Sequence, residues 1–151
     1  MREILPGKLW LGNTADARNI ASIMQADILA VVDLAAEQPM PTFPRSLVYC
    51  RFPILDGQQT SQAALRVAIE AIVLLMRSGI PTLVSCSAGM SRSPAVVAGA
   101  LSVLQGGSAD DRLRQIALGH PHDVSPKLWQ DVRDVCAEMG QMKQPLAMIS
   151  T

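Results

Sequence analysis

The chain has 151 residues, 49% of them hydrophobic, and carries 13 lysines and arginines against 13 aspartates and glutamates. That length suits one domain, and that apolar fraction supports a packed core, which excludes a disordered chain. The zero net charge argues against a nucleic-acid binder, which shows a basic excess, while leaving room for a local basic site. No run of 18 apolar residues marks a membrane span. The first eleven residues, broken by Pro6 and Gly7, lack the apolar centre of a secretory signal. Three widely spaced cysteines form neither a disulfide framework nor a paired-cysteine zinc pattern, so a reducing cytoplasm is the expected location.

In chain order, Lys8 to Leu11 reads as a short extended piece ended by Gly12. Thr14 to Met24 predicts a helix with Asn13 or Thr14 as its N-cap. Ile28 to Leu34 (ILAVVDL) is apolar and β-branched, the pattern of a strand buried on both faces. Gln38 to Pro44 holds three prolines and predicts a loop, and Leu47 to Phe52 predicts a second strand. After a polar loop at 57–60, Ser61 to Arg77 predicts a buried helix stopped by Gly79. Pro81 to Ser85 predicts a third strand, and Pro94 to Leu104 a helix with proline in its first turn. Ser108 caps a helix to about Leu118, with Asp110 and Asp111 in its first turn. Ser125 caps a last helix to about Met139.

Alternating strands and helices predict an α/β fold: a mostly parallel central sheet of four to five strands with helices on both faces. The expectation is a single domain over residues 1–140 and a mobile tail over 141–151. Strand 47–52, helix 61–77 and strand 81–85 form a predicted crossover, which puts both strand ends on one edge of the sheet. Ligands of open α/β sheets bind at that carboxyl edge. Asp56 follows the first of these strands and Cys86 follows the second. Asp33, also near a strand end, is a rival to Asp56 for any acid–base role.

The segment Leu83-Val84-Ser85-Cys86-Ser87-Ala88-Gly89-Met90-Ser91-Arg92-Ser93-Pro94 takes a strand into a loop of small residues and then into a helix. At such a helix start the free backbone N–H groups favour an anion, and Gly89 lets them curl inward. The expected phosphate cradle is therefore Ser87, Ala88, Gly89, Met90, Ser91 and Arg92, with Arg92 adding a planar fork for two phosphate oxygens. The same field is expected to lower the pKa of Cys86 and make its thiolate the nucleophile. The other cysteines act as internal controls: six residues after Cys50 is Asp56, and six after Cys136 is Met142. A buried cysteine that merely fills space has no need of such a following loop.

At these residues the chain resembles the dual-specificity branch of the protein tyrosine phosphatase superfamily, whose signature is His-Cys, five residues, then Arg-Ser/Thr. The Ala88-Gly89-Met90-Ser91-Arg92-Ser93-Pro94 portion matches closely. Supporting likenesses are Ile4 to Asn13 with the family's opening strand, Asp27 to Leu34 with its next strand, Phe52 to Asp56 with the acid-bearing segment, and Val124 to Leu128 with the start of its last helix. Three features depart from the pattern. Ser85 stands where the family has histidine, the family's common asparagine near Ser125 is missing, and aromatic residues are only 3% of the chain.

The resemblance implies a phosphatase-like fold and hydrolysis of phosphotyrosine, with phosphoserine and phosphothreonine as further substrates, through a cysteinyl-phosphate. Asp56 is then the general acid, and Ser93 donates a hydrogen bond to the sulfur. No cofactor, metal, nucleic acid or membrane is expected, and the partner is a phosphorylated protein. Two alternatives stay open. One is a phosphatase of a non-protein phosphoester, disfavoured by the neutral residues between Cys86 and Arg92. The other is a weakly active phosphate-binding module, to which Ser85 alone points. His120 and His122 lie in a proline turn that reads as a solvated loop. Trp10 and Trp129 read as core anchors, and Cys50 and Cys136 as buried thiols.

Overall fold

A computed structural model of the chain describes residues 1–142. The chain opens with a hairpin of β1 (Arg2–Leu5) and β2 (Leu9–Asn13), whose turn is tied by a Lys8 N–H bond to the Leu5 carbonyl at 3.0 Å. The sequence reading separated only the second of these strands. The other elements are α1 (Thr14–Arg18), α2 (Ile20–Gln25), β3 (Ala30–Asp33), β4 (Val48–Arg51), α3 (Gln62–Arg77), β5 (Thr82–Cys86), α4 (Arg92–Gln105), α5 (Ala109–Ala117) and α6 (Pro126–Met142). The sheet order is β1-β2-β5-β3-β4. Only β1 runs antiparallel, so the sheet is mixed but mostly parallel, as the alternating pattern predicts.

Two local expectations change. The helix expected over 14–24 is two helices, broken at Asn19 (φ −84°, ψ 80°), whose side chain turns to accept the Ser22 N–H. An asparagine that can bond its neighbours' backbone favours a break over a continued helix. Asn13 caps α1 in a reciprocal capping box with Asp16. The crossover through α3 also differs: β4 and β5 are parallel but not neighbours, because β3 lies between them. Ala30, Val31 and Val32 are fully buried, which suits a strand covered on both sides and edges.

The sheet sorts its side chains by alternation. Leu9, Leu11, Val32 and Val84 face a large core built with Ile69 and Ile72 of α3, Val96 and Val97 of α4, Leu113 and Ile116 of α5, and Val132 of α6. Trp10, Val31 and Leu83 face the smaller core of Ala17, Ile23 and Ile28. At Gly99, on α4, an added Cβ would come within 2.9 Å of Val132 and 3.1 Å of Cys136, so the glycine lets α4 and α6 approach closely. Trp10 is buried as expected. Trp129 is half-buried instead, because its indole N–H reaches out to Asp110 at 2.8 Å. Cys50 and Cys136 are also half-buried, not fully buried. The last helix continues to Met142, so Gln141 and Met142 are helical; the rest of the expected tail lies outside the described residues.

Candidate active site

Cys86 is the last residue of β5, opposite Asn13 of β2. The sheet holds the start of the following loop from both sides. The Leu34 N–H bonds the Ser85 carbonyl at 2.8 Å, and the Thr14 N–H bonds the Ser87 carbonyl at 3.3 Å. Gly89 takes φ +73°, and a Cβ there would lie 2.9 Å from the Gly12 carbonyl oxygen. Only glycine fits both demands. The turn so formed aims the Gly89 N–H at the Cys86 sulfur, 3.2 Å away. Ser93 Oγ stands 3.2 Å from the same sulfur and 3.4 Å from the Gly12 carbonyl. Cys86 is almost wholly buried, yet its sulfur meets a backbone N–H and a hydroxyl where an inert core thiol meets hydrocarbon. With an ionised sulfur, Ser93 is necessarily the donor of its pair.

Arg92 is the first residue of α4 and is only 4% exposed. Its guanidinium turns inward. Nη1 donates to the Leu34 carbonyl (3.1 Å), the Ile54 carbonyl (3.1 Å) and Glu37 Oε2 (2.9 Å), and Nη2 donates to Glu37 Oε1 (2.6 Å). Nε is buried without a hydrogen-bond partner. Burial works against the arginine's charge, but Glu37, Cys86 and Asp56 outweigh it, and its pKa is raised. The bond to Arg92 in turn holds the Glu37 carboxyl below its usual range, against a smaller opposing effect of burial.

Asp56 lies in the exposed loop after β4, and its Oδ1 accepts the Ser91 hydroxyl at 2.7 Å. The structure therefore brings Asp56 to the cysteine loop even though β3 intervenes. Asp33 is differently engaged. It is buried, accepts the Tyr49 hydroxyl at 2.6 Å and the Ala35 N–H at 2.9 Å, and pairs with Arg51 at 3.3 Å. Burial, reinforced by Asp33, pushes the Tyr49 hydroxyl well above its ordinary pKa. Arg51 also donates to the carbonyls of Ala35 and Gln38, which fixes the loop that carries Glu37.

Glu37 and Gln38 are site residues that the sequence reading missed, Gln38 bonding Ser87 Oγ at 3.1 Å. Their signal was position: Ala35-Ala36-Glu37-Gln38 leaves β3 at the same edge as Asp56 and Cys86. His120 and His122 are exposed, and the neighbouring Asp123 N–H bonds the Met90 carbonyl at 2.7 Å, so this turn braces the cysteine loop. Among the described residues no group of three histidine, cysteine or carboxylate side chains is placed to hold a metal ion. Cys50 lies two strands from Cys86, across β3, a separation of roughly 10 Å that excludes a disulfide in this fold. A polar hollow of about 620 Å³, lined by Asn13, Thr14, Arg18, Asn19, Gln38 and Ser87, flanks the loop. Met90, within the cysteine loop, and Leu55, next to Asp56 in sequence, are exposed at 40% and 44%.

Fold and loop together define an α/β domain with a cysteine–arginine loop at the carboxyl edge of its sheet. No sequence-family model and no curated protein sequence matches the chain. Solved structures do. DUSP15 superposes with a TM-score of 0.82 at 26% identity, over 94% of this chain and 90% of that one. Human DUSP28 gives 0.82 at 23% identity, over 94% and 99%. The human tyrosine phosphatase-like serine/threonine/tyrosine-interacting protein gives 0.80 at 22%, over 92% and 97%. The chain shares the fold of these dual-specificity phosphatase structures. No described helix is long and apolar enough to cross a membrane.

Proposed function

We propose that the chain is a cysteine-dependent phosphoric monoester hydrolase acting on phosphorylated proteins, at phosphotyrosine and also at phosphoserine and phosphothreonine. The observation that carries this reading is Arg92, a buried cation whose Nε has no partner. A buried donor left unmade is costly, and a phosphate oxygen satisfies it. Glu37 occupies the Nη1–Nη2 end of the guanidinium, which leaves the Nε–Nη2 side for a second, phosphate-gripping fork.

The Cys86 thiolate attacks phosphorus in line, forming an S–P bond as the ester P–O bond breaks. Asp56 gives its proton to the departing oxygen. Arg92 and the N–H groups of residues 87–92 hold the equatorial oxygens, so the chain itself supplies the positive charge that the transition state needs. Water then attacks the cysteinyl-phosphate and loses its proton to Asp56. The P–S bond breaks with its electron pair returning to sulfur, where the Ser93 hydroxyl stabilises the developing thiolate. Three free thiols suit the reducing cytoplasm.

Cys86→Ser tests the proposal. Release of phosphate from a phosphotyrosine peptide should vanish while the variant still binds that peptide. Turnover retained by Cys86→Ser overturns the reading.

A further inference from the structure

Ser91 stands at the N-cap of α4, the position where a serine usually bonds a free N–H of the first helical turn. It makes no such bond. Its hydroxyl goes instead to Asp56 Oδ1, at 2.7 Å, and its side chain is buried while Asp56 itself sits in an exposed loop. The ends of that loop are fixed independently. Arg92 holds the Ile54 carbonyl, and the buried Thr60 hydroxyl lies 3.1 Å from both the N–H and the carbonyl of Leu55. Between these anchors, the bond from Ser91 constrains the aspartate side chain.

We infer that Ser91 is a positioning residue for proton transfer: it engages Oδ1 of Asp56 and so leaves Oδ2 to carry the catalytic proton. This rests on the proposed role of Asp56 as general acid. A protonated carboxyl still accepts a hydrogen bond at its other oxygen, so the Ser91 bond persists through both chemical steps. In the first, Oδ2–H gives its proton to the leaving oxygen as the P–O bond breaks and the S–P bond forms. In the second, Oδ2 takes a proton from the attacking water as the P–S bond breaks. The carboxyl need not rotate between them, which keeps the donor in a near-attack geometry.

The test compares Ser91→Ala with the unaltered protein on phenyl phosphate, a poor leaving group, and 4-nitrophenyl phosphate, a good one. The expected loss in kcat/KM is about tenfold on the phenyl ester and several times smaller on the nitrophenyl ester, because an acid matters most for a poor leaving group. In an Asp56→Asn background, removing the hydroxyl should leave the ratio of the two esters unchanged. Equal losses on both esters overturn the inference, as does a change in that ratio in the Asp56→Asn background. The underlying reading fails separately: Asp56→Asn alone slowing both esters equally removes Asp56 as the acid, whatever Ser91 does.

Discussion

The end of β3 and the loop after β4 each present an aspartate at the same edge of the sheet, and the two are held in opposite ways. Asp33 is buried and shared among a tyrosine hydroxyl, a backbone N–H and an arginine. Asp56 is exposed and accepts a bond from one serine hydroxyl. A carboxylate with both oxygens engaged fixes structure, whereas one with an oxygen left over can exchange a proton. Position at a strand end therefore nominates candidates, and the count of partners separates them.

Asp56→Asn gives the largest expected effect. Turnover of an unactivated phosphate ester should fall by about 10²–10³-fold, the usual scale of a lost general acid, with little change in thermal stability. Asp33→Asn should do the reverse. Loss of charge-assisted bonds to Tyr49 and Arg51 is expected to cost about 2 kcal/mol in denaturant unfolding, while the remaining rate keeps its leaving-group dependence. If Asp33→Asn abolishes that dependence and Asp56→Asn does not, the two assignments exchange.

Glu37→Gln should have the smallest effect and sharpen the comparison from the arginine side. With the end-on fork weakened, KM for a phosphate ester should rise by about tenfold, since Arg92 loses its fixed orientation. Because Arg92 holds the Glu37 carboxyl below its ordinary range, the stabilising contribution is complete above that range and is lost as pH falls through the lowered value. Melting temperatures of the unaltered protein and Glu37→Gln should differ by a constant amount near neutral pH and converge in acid. A difference that persists unchanged down to about pH 3 contradicts this pairing.

The cysteine loop was legible because cysteine, glycine, arginine and serine lie within one short segment, and a local segment carries its own geometry. Asp56 was legible because strand ends can be read from apolar runs. The partners of Arg92 were not. Leu34, Glu37 and Ile54 meet it only after three strands have been ordered, and no periodicity records which way a guanidinium points. β1 escaped notice because Arg2-Glu3-Ile4-Leu5 is too short and mixed to signal a strand without its hairpin partner. The split at Asn19 escaped notice because the residues on both sides are acceptable in a helix.

The inward turn of Arg92 has a consequence for how the protein assembles. One side chain joins the start of α4 to residues 34, 37 and 54, none of which meets it until β3 is seated between β5 and β4. These are contacts between distant parts of the chain, the kind that close late when a chain refolds. Recovery of the proposed phosphatase turnover after dilution from denaturant should accordingly trail the return of helical signal, which would make that turnover a readout of completed sheet order.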